Sequence, residues 1–84
     1  MGANISDIIS LQSTEGSWKD VHLIEMLYNN SELQNKVKEL EEAALKIVIT
    51  YLVAKWIEKN YPQKQYSLVV KKGINFANKT SSHF

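Results

Sequence analysis

Residues 43–58 read AALKIVITYLVAKWIE, and the pattern of this stretch decides the fold. Only Lys46, Thr50, Lys55 and Glu58 interrupt the apolar run, so a helix made from it is greasy on most of its circumference and needs neighbours on several sides. At the rise of an α-helix it is roughly 24 Å long, which suits the central helix of a small bundle. Turning about 100° per residue puts Leu45, Val48, Ile49, Leu52 and Trp56 on one face and Ile47, Tyr51 and Ala54 on another. Lys46 and Thr50 share a narrow polar strip, with Val53 and Ile57 on or beside it. Such a helix is either buried by its own domain or keeps one face for a partner. In the second case a partner lies along Lys46, Thr50, Val53 and Ile57, or beside the last helix near Lys71 and Lys72.

Outward from this stretch, Pro62 marks the stop on the C-terminal side, because the residue before a proline resists helical geometry. Residues 63–65 read as a linker. A last helix over about 66–78 places Tyr66, Val69, Val70, Gly73, Ile74 and Ala77 inward, with Lys71, Lys72 and Lys79 outward. Gly73 inside it costs about 1 kcal/mol relative to alanine, a cost often accepted where another backbone passes closely. On the N-terminal side, Ser31 to Gln34 has the S-x-x-Q form of a capping box, and a helix with a thin apolar stripe of Leu33, Val37 and Leu40 follows. No Gly or Pro lies between positions 32 and 60, yet a turn around 39–43 is expected to divide that span into two helices.

Earlier in the chain, Ile5, Ile8, Ile9 and Gln12 fall at helical spacing, with Asn4 or Ser6 as cap. The loop Ser13 to Ser17 contains Gly16, and Trp18 directly after it reads as an anchor pinning the loop to the core. Asp20 is placed to cap a helix carrying Val21, Leu23, Ile24 and Leu27, and His22 within it reads as a surface or satisfied core residue, not a general base. The expected architecture is therefore all-α, a compact bundle of four to five short helices around the central one. Residues 5–78 form a single helical domain between a flexible start at 1–4 and a flexible tail at 79–84.

The composition narrows the function. The chain has 84 residues, no cysteine and two histidines far apart, so disulfides, a thiolate nucleophile and a cysteine or histidine metal centre are not expected. No paired carboxylates, nucleophile with a base or glycine-rich phosphate loop occurs, and the three glycines are isolated. A non-catalytic protein without cofactor is expected. The net charge of +1 conceals a polarity: residues 1–42 carry eight acids and three lysines, residues 43–84 one acid and seven lysines. All ten cations are lysines, and without the guanidinium fork specific nucleic-acid recognition is not expected. The central helix is too short and too charged to span a membrane, and the start lacks a secretory leader, which implies a cytoplasmic protein. The opening MGANIS formally matches the N-myristoylation pattern.

The segment IISLQSTEGSW, residues 8–18, resembles the LxLQxxdGSW motif of the C-terminal helical region of proteins that combine a vault inter-alpha-trypsin domain with a von Willebrand type A domain, a group that includes the vault poly(ADP-ribose) polymerase. Thr50, Leu52, Trp56 and Ile57 fall where such proteins have a helix like WATxLAxxWL, and Tyr66, Leu68, Val69, Lys72, Gly73, Ile74 and Phe76 echo their WxLLxxKAxxW helix. Val48 and Lys55 depart from that pattern. The resemblance spans roughly residues 5–78 and implies a helical interaction domain that docks its parent onto the major vault protein of the vault particle. It implies a structural role for Leu11, Gln12, Gly16, Ser17, Trp18, Leu52 and Trp56. The alternatives are a homo-oligomerisation domain, including a homodimer, or a domain that packs within its own larger chain.

Overall fold

The central helix predicted over 43–58 is longer in the structure and is the element on which the others are assembled. The computed structural model describes residues 4–81, with side chains to residue 79. Among these, α1 is Ile5–Ser10, α2 His22–Tyr28, α3 Ser31–Lys38, α4 Glu42–Asn60 and α5 Ser67–Ser81, with a single 3-10 turn, Lys64–Tyr66, before α5. The described residues form no strand, so the bundle is all-α. The helix α5 continues to Ser81, beyond the expected end at 78. Residues 1–3 and 82–84, which belong to the expected flexible ends, lie outside the described residues.

Local signals set most helix ends. The Asn4 side chain accepts from Ser6 N–H at 2.9 Å, and the Asp20 carboxylate accepts from His22 N–H at 3.0 Å. Asn29 closes α2 in the left-handed conformation, φ 51°, its N–H bonded to the Glu25 carbonyl at 2.8 Å. The capping box expected at Ser31 and Gln34 is not formed. Asn30 is the cap instead, accepting from Leu33 N–H at 3.0 Å, while the buried Gln34 side chain accepts from Glu25 N–H at 3.2 Å and ties α3 to α2. The turn between α3 and α4 falls at 39–41, where Glu41 is extended, so the span from 32 to 60 is two helices. Glu41 and Glu42 lie at the positive end of α4 and favour its start there.

The core is Ile8, Trp18, Leu23, Ile24, Val37, Ile49, Val53, Ala54, Ile57 and Val70. The broadest contact is between α4 and α5, which run antiparallel across the short 61–66 connection, while α2 and α3 cover another side of α4. The strip expected to face a partner is the line of α4 turned most fully inward. Thr50 and Ile57 are 0% exposed and Val53 1%. These three residues are core and do not contact a partner in this fold. The reason is the Thr50 hydroxyl, which accepts from Trp18 N–H at 2.8 Å and lies 3.3 Å from the Trp18 carbonyl, to which it donates. A polar side chain with its bonds made inside belongs in the core.

The loop from 11 to 21 is held by the same residue. The Trp18 ring is fully buried, and its indole N–H donates to the Ile8 carbonyl at 2.8 Å, which fixes α1. Gln12 Nε2 donates to the carbonyls of Gly16 at 3.0 Å and Val69 at 3.3 Å, which joins the loop to α5. Gly16 has φ +100°, and a Cβ there would stand 2.7 Å from the Lys72 carbonyl oxygen. Conformation and close approach both require glycine at that position. A Cβ on Gly73 would meet Trp18 Cζ3 at 3.0 Å and Ala54 Cβ at 3.3 Å. The passage that Gly73 accommodates is therefore an indole ring and α4.

Two substitutions test this arrangement by urea denaturation. Thr50→Val keeps the shape but leaves both backbone groups of Trp18 without a partner, and should cost about 1–3 kcal/mol, more than Thr50→Ser. Gly73→Ala gains about 1 kcal/mol of helix propensity but overpacks an indole that cannot retreat from its bond to Ile8, a penalty of about 1–3 kcal/mol. Net destabilisation is expected.

Candidate functional site

The C-terminal end of α4 and the start of α5 diverge around Pro62 and leave an open cleft of about 270 Å³. Its walls include Tyr61, Tyr66, Val70 and Ile74, with Glu58 and Lys71 beside them. The aromatic wall is fixed by its own contacts: the Trp56 and Tyr61 rings lie 5.7 Å apart, and Tyr61 meets Tyr66 edge to face at 5.5 Å. Trp56, Tyr61 and Tyr66 also pack on the core from partly exposed positions. This is a preformed apolar depression with one cation and one carboxylate on its wall.

A second, shallower groove of about 350 Å³ lies nearer the start of α4, between Ile47, Val48, Tyr51 and Leu52 and the residues Ala77 and Asn78 of α5. Tyr51 is exposed there, with the Lys55 ammonium 5.7 Å from its ring centre. The Tyr28 hydroxyl donates to the Leu52 carbonyl at the edge of this face.

The predicted partner residues separate. Lys46 is half-buried and reaches the Glu15 carboxylate at 3.6 Å, so it links α4 to the glycine loop. Thr50, Val53 and Ile57 are interior. Lys71 is exposed on the cleft wall, whereas Lys72 is on the neighbouring side of α5, where its chain runs against Gly16. Among the residues expected to be structural, Gln12, Gly16, Ser17 and Trp18 make the loop contacts, Ser17 through bonds to Ser13 and Glu15. Leu11 is the exception, half-exposed at 50% as α1 ends, because Ile8 supplies the buried apolar contact of that helix. Leu52 and Trp56 flank the core on α4.

Sequence reasoning did not single out Tyr61 and Tyr66 as the walls of a cleft. A proline between two tyrosines, at the junction of two amphipathic helices, is the signal that was there to use.

Two of the ion pairs lie within a helix and a third joins α4 to the loop. Lys36 pairs with Glu32 at 3.7 Å, Lys55 with Glu58 at 3.5 Å and Lys46 with Glu15 at 3.6 Å, all at least partly solvated. Among the described residues Lys59, Lys64, Lys71 and Lys72 have no carboxylate at ion-pair distance. No three His, Asp or Glu side chains gather as metal ligands among the described residues, and none of their helices is long and apolar enough to cross a membrane. In comparisons with known proteins, no family model, curated protein or solved structure matches this chain.

Burial raises the ionisation of the Tyr28 phenol above its ordinary 10.0. The folded state therefore favours the protonated form: its contribution is complete below about pH 10 and is lost as pH rises through the folded value. Tyr28→Phe should remove that part of the alkaline loss of stability, which urea melts of both proteins between about pH 9 and pH 12 would measure.

Proposed function

We propose that this chain is a non-catalytic protein–protein interaction module that docks its parent protein onto a partner through the cleft between α4 and α5. The observation that carries this reading is the cleft itself: apolar, open, and walled by tyrosines that are already fixed by ring contacts. A preformed depression loses little conformational entropy when a side chain enters it, which is what a small docking domain requires. The LQSTEGSW loop supports the same reading indirectly, since its residues are engaged in holding the fold and leave the α4–α5 end as a free surface.

By the sequence resemblance, the partner is the major vault protein of the vault particle, and the setting is cytoplasmic. Co-sedimentation with reconstituted shells of that protein tests the identity, because a free domain of 9.6 kDa stays in the supernatant. Saturable pelleting that survives moderate salt is expected. Ser67→Trp, at an exposed position on the cleft wall, should fill the mouth and weaken pelleting by about tenfold or more with helicity unchanged. A folded domain that stays in solution would remove the vault shell as partner.

A second reading is favoured by a separate observation, the row of partly exposed Ile47, Val48, Tyr51 and Leu52 on α4. In that reading the row pairs with a second copy, or with another domain of the parent chain. Sedimentation equilibrium at micromolar concentration decides the first case: a dimer disrupted by Tyr51→Lys would support it, and a strict monomer would exclude it.

A further inference from the structure

The charge around the cleft names the chemistry of its occupant, an inference that rests on the docking reading above. The second half of the chain contains one acid, Glu58, against seven lysines. Glu58 lies on the cleft wall but is engaged by Lys55 at 3.5 Å. Lys71, on α5, also lines the cleft, exposed and without a carboxylate partner. Lys59 in the last turn of α4 and Lys64 in the 3-10 turn, the two elements that lead into the cleft, are likewise exposed and unpaired. An ion pair that joins the acidic and basic halves, Lys46 to Glu15, is near the opposite end of α4. The positive end of the α5 dipole adds to the same field, since Ser67, the first residue of that helix, lines the cleft.

The volume, about 270 Å³, is below the range that usually holds cofactors or drug-sized ligands and suits one or two apolar side chains. We propose that the cleft receives an acidic peptide segment of a partner protein, with a leucine or phenylalanine seated against Tyr61, Tyr66, Val70 and Ile74 and flanking carboxylates facing Lys71, Lys59 and Lys64. A basic segment is repelled by the same lysines, so they select the partner as well as attract it. An open apolar depression with Lys71 on its wall fits a side chain better than a phosphate backbone, which needs a continuous basic track.

The test uses the whole chain and two blocked peptides with the same leucine and phenylalanine anchors, flanked by glutamates in one and by lysines in the other. Titration of the 15N-labelled protein should show the glutamate peptide shifting amides between Tyr61 and Asn75, with a Kd on the order of 100 μM or tighter at low salt. The lysine peptide should bind at least about tenfold more weakly, and Lys71→Glu should shrink or reverse that preference by about fivefold to tenfold. Because Lys71 is exposed, the variant should keep its helicity. A glutamate peptide without the apolar anchors should leave the cleft unperturbed.

Equal binding of both peptides at the cleft would overturn the acidic preference and leave the docking reading intact. If neither peptide perturbs the cleft while vault shells still pellet the domain, the acidic segment is wrong and docking stands. If shells also fail to pellet it, the acidic segment and the vault shell are both removed as occupants of the cleft. Tighter binding of phosphatidylserine vesicles than of the glutamate peptide, lost in Lys71→Glu, would overturn the proposal in favour of an anionic lipid surface.

Discussion

The buried contact between Trp18 and Thr50 is the constraint on which the rest of the bundle depends. It joins an irregular loop to the middle of the central helix, 32 residues away, through one hydroxyl that serves both backbone groups of the tryptophan. The indole then reaches in two further directions, to the Ile8 carbonyl on α1 and to the backbone space left by Gly73 on α5. Burial of a tryptophan ring removes about 150–250 Å² from water, worth on the order of 5 kcal/mol at 25 cal/mol per Å². For a domain of this length that is comparable with the whole net stability expected, about 5–10 kcal/mol. Loss of the clamp would release α1 and the loop together.

This clamp also decides which residues are committed to the interior. The loop is the part of the sequence with the most distinctive motif, yet Gln12, Gly16, Ser17 and Trp18 spend their polar groups and space on internal contacts. The end of the α4–α5 hairpin stays open, where the tyrosines flank a proline and Lys59, Lys64 and Lys71 have no carboxylate at ion-pair distance. The interior contacts gather in the loop and the middle of α4, and the docking proposed above would use the far end of the hairpin. Substitutions at the cleft rim, as at exposed Lys71 and Ser67, therefore leave these interior contacts in place.

The helices were legible in the sequence because their signals are local. Pro62 and Asp20 act within a turn of where they stand, and the apolar density of residues 43–58 requires a central helix whatever surrounds it. The orientation of that helix was not legible. Thr50 counts as polar in any periodicity argument, and only its bond to a residue 32 positions earlier explains why its face is core. Lys46 follows it inward as far as Glu15 allows, its stem covered and its charge at the edge. The same reasoning failed for Gln34, whose side chain prefers an amide on α2 to the start of its own helix. Gly73 was readable as a close approach, but the approaching group, an indole ring from the loop, is visible only in three dimensions.

Native-state hydrogen exchange of the Trp18 indole proton tests the clamp most directly, with the Trp56 indole as internal comparison. If Trp18 holds the loop, α1 and α5 to the central helix, its indole proton exchanges only when the whole domain unfolds, and its apparent free energy falls with denaturant as steeply as global unfolding does. Trp56, partly exposed beside Tyr61, should exchange much faster. A Trp18 indole that exchanges through a small opening insensitive to denaturant, while α4 and α5 remain protected, would show that the loop is an accessory and that the bundle stands without it.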